Sequence, residues 1–171
     1  MLDARLRPLI DPPLNAMGRG IARIGVSANG VTLLGLLLGL AAGGAIAHQA
    51  YGWGLGLLLA NRLLDGLDGA VARASKMTDF GGYLDILADF VFYVAVPVGF
   101  GLAAAENQLP ALVLVASFTL TGVSFLAFAT IAGQRGEESS AHGKKSFFYS
   151  TGLAEGAETI IAFVLMCLMP Q

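Results

Sequence analysis

Charge and cysteine are both scarce in this chain of 171 residues: charged side chains make up 13%, and there is one cysteine. A lone Cys167 excludes any internal disulfide, and its setting in an apolar run reads as a small core or lipid-facing residue. So little charge, set against 56% hydrophobic residues and a mean hydropathy of +0.71, excludes an ordinary soluble domain. The chain reads as one integral membrane domain. Its net charge of −2 gives no reason to expect a nucleic-acid partner and hides an asymmetry in where the basic residues fall.

What charge there is gathers in one place. The stretch Asp65-Gly66-Leu67-Asp68-Gly69-Ala70-Val71-Ala72-Arg73 is followed, after a gap, by Gly81, Asp85 and Asp89. Ionised groups in apolar surroundings are costly and mark function. Asp65 and Asp68 are three apart and Asp85 and Asp89 four apart, so on helices each pair projects from one face. If the two helices run antiparallel, Asp65 lies near the depth of Asp89 and Asp68 near that of Asp85, and four carboxylates converge on one point. Such a cluster repels itself unless protons or cations intervene. All-oxygen ligands favour hard divalent ions such as Mg²⁺, Mn²⁺ or Ca²⁺ over zinc.

The pattern Asp-x-x-Asp-Gly-x-x-Ala-Arg, then Gly-x-x-x-Asp-x-x-x-Asp, resembles the signature of the CDP-alcohol phosphotransferases, with every fixed position filled: Asp65, Asp68, Gly69, Ala72, Arg73, Gly81, Asp85 and Asp89. The resemblance implies a membrane enzyme of phospholipid synthesis. Such an enzyme transfers a substituted phosphate from a CDP-linked donor, usually CDP-diacylglycerol, to an alcohol and releases CMP. It further implies two Mg²⁺ or Mn²⁺ ions on Asp65, Asp68, Asp85 and Asp89, with Asp89 also the general base on the acceptor hydroxyl. CDP would contact Asp68, Gly69, Ala72, Arg73, Gly81 and Asp85. Read alone, Gly69 and Gly81 are packing glycines and Arg73 a snorkelling arginine.

In chain order, residues 1–26 form a polar, cytoplasmic or interfacial segment. Asp11-Pro12-Pro13 predicts a helix start with Asp11 as N-cap. Leu14, Met17, Ile21 and Ile24 then recur at helical spacing, with Arg19 and Arg23 elsewhere on the wheel, as in an amphipathic helix on a membrane surface. Residues 27–171 form the transmembrane domain. Ser27 or Asn29 caps a first span over Val31 to about Ala47, in which Gly35, Gly39 and Gly43 leave a groove for a neighbouring helix. Ser27-Ala28-Asn29-Gly30-Val31-Thr32 is similar to a Ser/Thr-Pro-Asn-x-x-Thr stretch of the same family, with Ala28 in place of proline. The polar lead is too long for a cleaved signal peptide.

Tyr51 and Trp53 read as an interfacial anchor opening a second span to about Ser75. A third runs from about Asp79 to Ala104, a fourth from Pro110 to about Ala132, and a fifth from the Phe147-Phe148-Tyr149 anchor to about Met169. The fold class is thus all-α, a polytopic helical bundle of five spans behind an amphipathic helix; the family typically has six. Arg5, Arg7, Arg19, Arg23, Arg73, Lys76, Arg135, Lys144 and Lys145 all fall on one side, which the positive-inside rule makes cytoplasmic. The aspartates then open toward the cytosol, roughly 7–12 Å below the boundary.

Outside the signature, Arg62 shares the face of Asp65 and is either a charge partner for the carboxylates or a substrate contact. The first is the commoner use of an intramembrane arginine. Thr151, Glu155 and Glu158 share a face of the fifth span, where the glutamates line an acceptor pocket or pair with Lys144 and Lys145. Arg135, Lys144 and Lys145 could hold the phosphate of an acceptor such as glycerol 3-phosphate or inositol phosphate, or merely satisfy the positive-inside rule. Ser117, Thr121 and Ser124 form a polar stripe suited to interhelical hydrogen bonds. Glycine-rich faces permit a homodimer. The competing reading is a divalent-cation or proton-coupled transporter, which requires polar residues continuing to the outer side and an inverted repeat. The outer halves are almost wholly apolar, and no repeat is evident.

Overall fold

A computed structural model describes residues 2–134 and 156–170, and the described chain is helical, without strands. The helices are α1 (Leu2–Arg23), α2 (Ala28–Ala47), α3 (Tyr51–Ala74), α4 (Asp79–Ala103), α5 (Gln108–Gln134) and α6 (Gly156–Leu168), with one 3-10 turn at Ala105–Asn107 before α5.

Local chemistry sets the ends of these helices. Ser27 takes an extended backbone before α2, and its Oγ accepts from the Gly30 N–H at 3.1 Å. Thr78 does the same for α4, accepting from Gly81 at 3.0 Å. Each satisfies a donor that the first helical turn leaves unpaired. Gly25 turns α1 into α2 at φ +82°, a backbone that a Cβ would strain. Gln49 makes the α2–α3 turn at φ 60°, and its side-chain Nε2 donates to the Ala103 carbonyl at 2.8 Å, tying this turn to the end of α4.

α1 corrects one expectation: it begins at Leu2, not at Asp11, and runs through Pro8, Pro12 and Pro13. Proline removes an N–H but holds a helical φ, so the helix loses hydrogen bonds there without having to end. Its apolar positions divide between two faces. Leu14 and Ile21 pack against a buried cluster of Val31, Leu67 and Val71, whereas Leu9, Ile10 and Met17 are exposed, as is Ile24 just past the helix end, as a helix lying on a lipid surface requires.

α2 is the central helix, packed along both α3 and α4, which make little direct backbone contact with each other. Its glycines permit this. A Cβ on Gly43 would stand 2.6 Å from the Ala95 carbonyl oxygen of α4, and one on Gly39 3.1 Å from Asn61 of α3. α1 lies against α3, and α5 against α4. An apolar core including Ala42, Ile46, Leu58, Phe92, Val96, Phe100, Phe163 and Cys167 fills the half of the bundle away from the aspartates. Phe92 and Phe163 meet edge to face at 5.9 Å between centroids. Tyr51 turns inward to stack on Phe100, while Trp53 points outward, so only the tryptophan is free to serve as an interfacial anchor.

α2, α4 and the stretch Ala105–Gln134 are long and apolar enough to cross a membrane. α3 has the length, with 24 residues, but carries Arg62, Asp65, Asp68 and Arg73. α6 is described over 13 residues, and the earlier part of the expected fifth span lies outside the described residues. α5 exposes Leu109, Leu112, Leu120 and Val123, an apolar surface suited to lipid rather than water. Ser117 does not bond across helices as expected; its hydroxyl donates to the Val113 carbonyl of its own helix at 2.8 Å. An exposed hydroxyl on a lipid-facing helix finds its nearest acceptor four residues back.

Candidate active site

Because α2 holds α3 and α4 apart, the second half of α3 and the first half of α4 face each other across a gap. Asp65 and Asp68 line it from α3, and Asp85 and Asp89 from α4. Arg62 Nη1 of α3 stands 2.9 Å from Asp89 Oδ1 of α4 and 3.6 Å from Asp65 Oδ2, so Asp65 and Asp89 lie at one depth. This is the pairing of depths that antiparallel helices give.

Each carboxylate is held differently. Asp68 is buried, and its Oδ2 accepts from the Thr32 hydroxyl of α2 at 2.6 Å. Thr32 is itself anchored on the first turn of α2, where its Oγ1 lies 3.0 Å from the Ala28 carbonyl. Asp89 accepts from Arg62 Nη1 at 2.9 Å, and the same nitrogen stands 3.6 Å from Asp65 Oδ2. Arg62 is fixed in turn, its Nε donating to Asn61 Oδ1 at 2.7 Å and its guanidinium lying 4.0 Å above the Phe92 ring. Asn61 is 3% exposed and donates through Nδ2 to the Gly35 carbonyl of α2 at 2.8 Å. Thr32, Asn61, Arg62, Asp65 and Asp68 thereby line one recess.

At the end of α3, Arg73 is exposed and its Nη2 and Nε donate to Asn15 Oδ1 of α1 at 3.0 and 3.3 Å. Ala72 and Gly69 are half-buried beside it. A Cβ on Gly81 would stand 3.0 Å from Thr78 Oγ1 and 3.1 Å from Asn29 Oδ1, so this glycine sits where α4 begins close to the start of α2. Glu158 lies in the first turn of α6, half-buried. Arg135, Lys144, Lys145, Thr151 and Glu155 lie outside the described residues.

One expectation is corrected here. The four carboxylates share a gap but do not converge on a point. Among the described residues no group of three or more acidic, histidine or cysteine side chains stands close enough to hold a metal ion. The physical reason is charge: like carboxylates separate unless a cation lies between them, and Arg62 fills that position between Asp65 and Asp89. The donor chemistry nonetheless fits a hard divalent ion, being entirely carboxylate and hydroxyl oxygen. Asp68 supports the fit. It is 4% exposed, it accepts from the neutral Thr32 hydroxyl, and no basic side chain among the described residues pairs with it. A buried anion without counter-charge is costly.

Thr32 and Asn61 are the residues to which the sequence alone assigns no role. The only signal for Thr32 is its place in the Ser27–Thr32 stretch; Asn61 has none, because its acceptor is a backbone carbonyl 26 positions away.

With this geometry in view, comparison with known proteins is informative. The family described as CDP-alcohol phosphatidyltransferase matches residues 25–170. The chain is 48% identical over 174 aligned residues to the inner membrane protein YnjF of Escherichia coli (strain K12), covering 99% of this chain and 83% of that protein. It is 33% identical over 100 residues to the archaetidylinositol phosphate synthase of Pyrococcus horikoshii, covering 58% of this chain and 53% of that one. A synthase of the same name from Methanothermobacter thermautotrophicus is 35% identical over 99 residues, 55% of this chain and 47% of that protein. The matches to the archaeal synthases thus span about half of their length. No solved structure matches the chain.

Proposed function

Since the chain belongs to the CDP-alcohol phosphatidyltransferase family, we propose that this integral membrane protein transfers a phosphatidyl group from CDP-diacylglycerol to a polyol phosphate and releases CMP. The observation that carries the reading is the gap itself, with Asp65 and Asp68 on α3 facing Asp85 and Asp89 on α4. The acceptor class draws on the archaetidylinositol phosphate synthases among its relatives. It also draws on the basic residues Arg135, Lys144 and Lys145, which suit a phosphate-bearing alcohol such as inositol phosphate or glycerol 3-phosphate.

In this reading Asp65, Asp68 and Asp85 hold two divalent ions, Mg²⁺ or Mn²⁺, and Asp89 contributes to them. When bound, such ions neutralise the pyrophosphate and stabilise charge in the displacement. Thr32 orients Asp68 by its hydrogen bond. Asp89, half-exposed at the gap, takes the proton of the acceptor hydroxyl. Gly69, Ala72 and Gly81 receive the cytidine, and Arg73 has the planar donor set for a phosphate. Glu155 and Glu158 are the acidic residues assigned to the acceptor. The positive-inside arrangement sets the gap toward the cytoplasm, where polyol phosphates are dissolved.

The test is CMP release from CDP-diacylglycerol by purified protein across a panel of alcohol acceptors with Mg²⁺ or Mn²⁺. Release that depends on one polyol phosphate is the expected result. Failure both to release CMP and to bind CDP would overturn the proposal.

A further inference from the structure

We propose that Arg62 is a built-in cation of the carboxylate gap that competes with a divalent ion for Asp65 and Asp89. The inference deepens the reading above and rests on the same carboxylates binding metal. Its basis is the position of one atom. Arg62 Nη1 lies 2.9 Å from Asp89 Oδ1 and 3.6 Å from Asp65 Oδ2, and so sits between two acids on opposite helices. That is the position a bridging cation takes to offset their repulsion.

The arginine is held there by more than charge. Its Nε bond to Asn61 and its stacking on Phe92 use a second edge and a face of the same plane, and Asn61 is pinned to α2 through Gly35. The guanidinium is therefore positioned by neutral contacts before any acid is considered. An oxygen that accepts a charged N–H at 2.9 Å presents less of its charge to an ion. Asp68, by contrast, faces no basic partner among the described residues. The Asp65–Asp89 side of the gap is thus already occupied by a cation that an ion must displace. The same residue keeps α3 and α4 bridged when no ion is bound, so the protein tolerates loss of metal.

The test is Mn²⁺ binding to detergent-purified protein without nucleotide or lipid, read from the loss of the free-ion electron paramagnetic resonance signal. Arg62→Gln is expected to bind Mn²⁺ about five- to tenfold more tightly than wild type, the coupling typical of two linked ligands. Arg62→Lys should fall between them, since lysine keeps the charge but offers neither an Nε to Asn61 nor a planar face to Phe92. Thermal melts give an independent readout: Arg62→Gln should melt lower than wild type in EDTA and gain more than wild type on addition of Mg²⁺. Unchanged or weaker Mn²⁺ binding by Arg62→Gln would refute the competition while leaving the metal site intact. If neither protein binds Mn²⁺, both the competition and the reading it rests on fail. Should Arg62→Gln not fold, equal affinities for wild type and Arg62→Lys would refute it instead.

Discussion

Thr32 of α2 and Asp68 of α3 share a buried hydrogen bond of 2.6 Å, 36 positions apart in sequence. It joins the start of the central helix to the acid that α3 buries most deeply, and so couples helix packing to the site. Replacing Thr32 by valine keeps the shape and removes the donor. Hydrogen bonds to charged groups contribute about 1.5–3 kcal/mol, so Thr32→Val should lower the melting temperature and weaken Mn²⁺ binding, while Thr32→Ser should preserve both. Equal melting and metal affinity in Thr32→Val and wild type would show that the bond contributes nothing.

The central position of α2 gives a paired prediction. A Cβ on Gly43 meets the Ala95 backbone of α4, whereas one on the adjacent Gly44 meets nothing within 4 Å. Gly43→Ala should therefore destabilise the bundle by about 1–3 kcal/mol, the range for overpacking. Gly44→Ala should be neutral or stabilising by up to about 1 kcal/mol, from reduced chain entropy. Denaturation in a single detergent would separate them.

Asn61 links two helices and fixes Arg62. Asn61→Leu keeps the branching at Cγ but removes the cross-helix bond to the Gly35 carbonyl and leaves Arg62 Nε without its acceptor. Unsatisfied buried polar groups cost about 1–3 kcal/mol, so a lower melting temperature is expected. Asn61→Asp restores the acceptor for Arg62 but not the donor to Gly35, and should recover only part of the loss.

Much of this architecture is legible in the sequence. The apolar runs and the turn residues between them place α3 and α4 to within a residue, since Tyr51, Ser75 and Asp79 stand at real boundaries. The signature spacing puts each pair of aspartates on one helical face because helix periodicity is a local property. What escapes is set by contacts distant in sequence. Nothing near Asn61 announces Gly35, and no spacing rule says that Arg62, three residues before Asp65, reaches across to Asp89. α1 escapes for another reason: Pro12 and Pro13 read as a helix start, and their tolerance inside a longer helix depends on the packing of Leu14 and Ile21 against α2 and α3.

The two halves of the signature should separate under mutation. Asp65→Asn and Asp85→Asn remove groups assigned to the ions and are expected to weaken Mn²⁺ and CDP binding together, by about tenfold or more, as loss of a charged ligand does. Isothermal titration with CDP in the presence and absence of Mn²⁺ measures both. CDP binding that is unaffected by either substitution would place the nucleotide elsewhere.

The most direct measurement is of Asp89→Asn, assayed for CDP binding and for CMP release in the same preparation. Nucleotide binding close to that of wild type, with turnover abolished, is the expected result, because the substitution removes the base while the principal nucleotide contacts remain. Normal turnover by Asp89→Asn would contradict the assignment of Asp89 as the group that activates the acceptor.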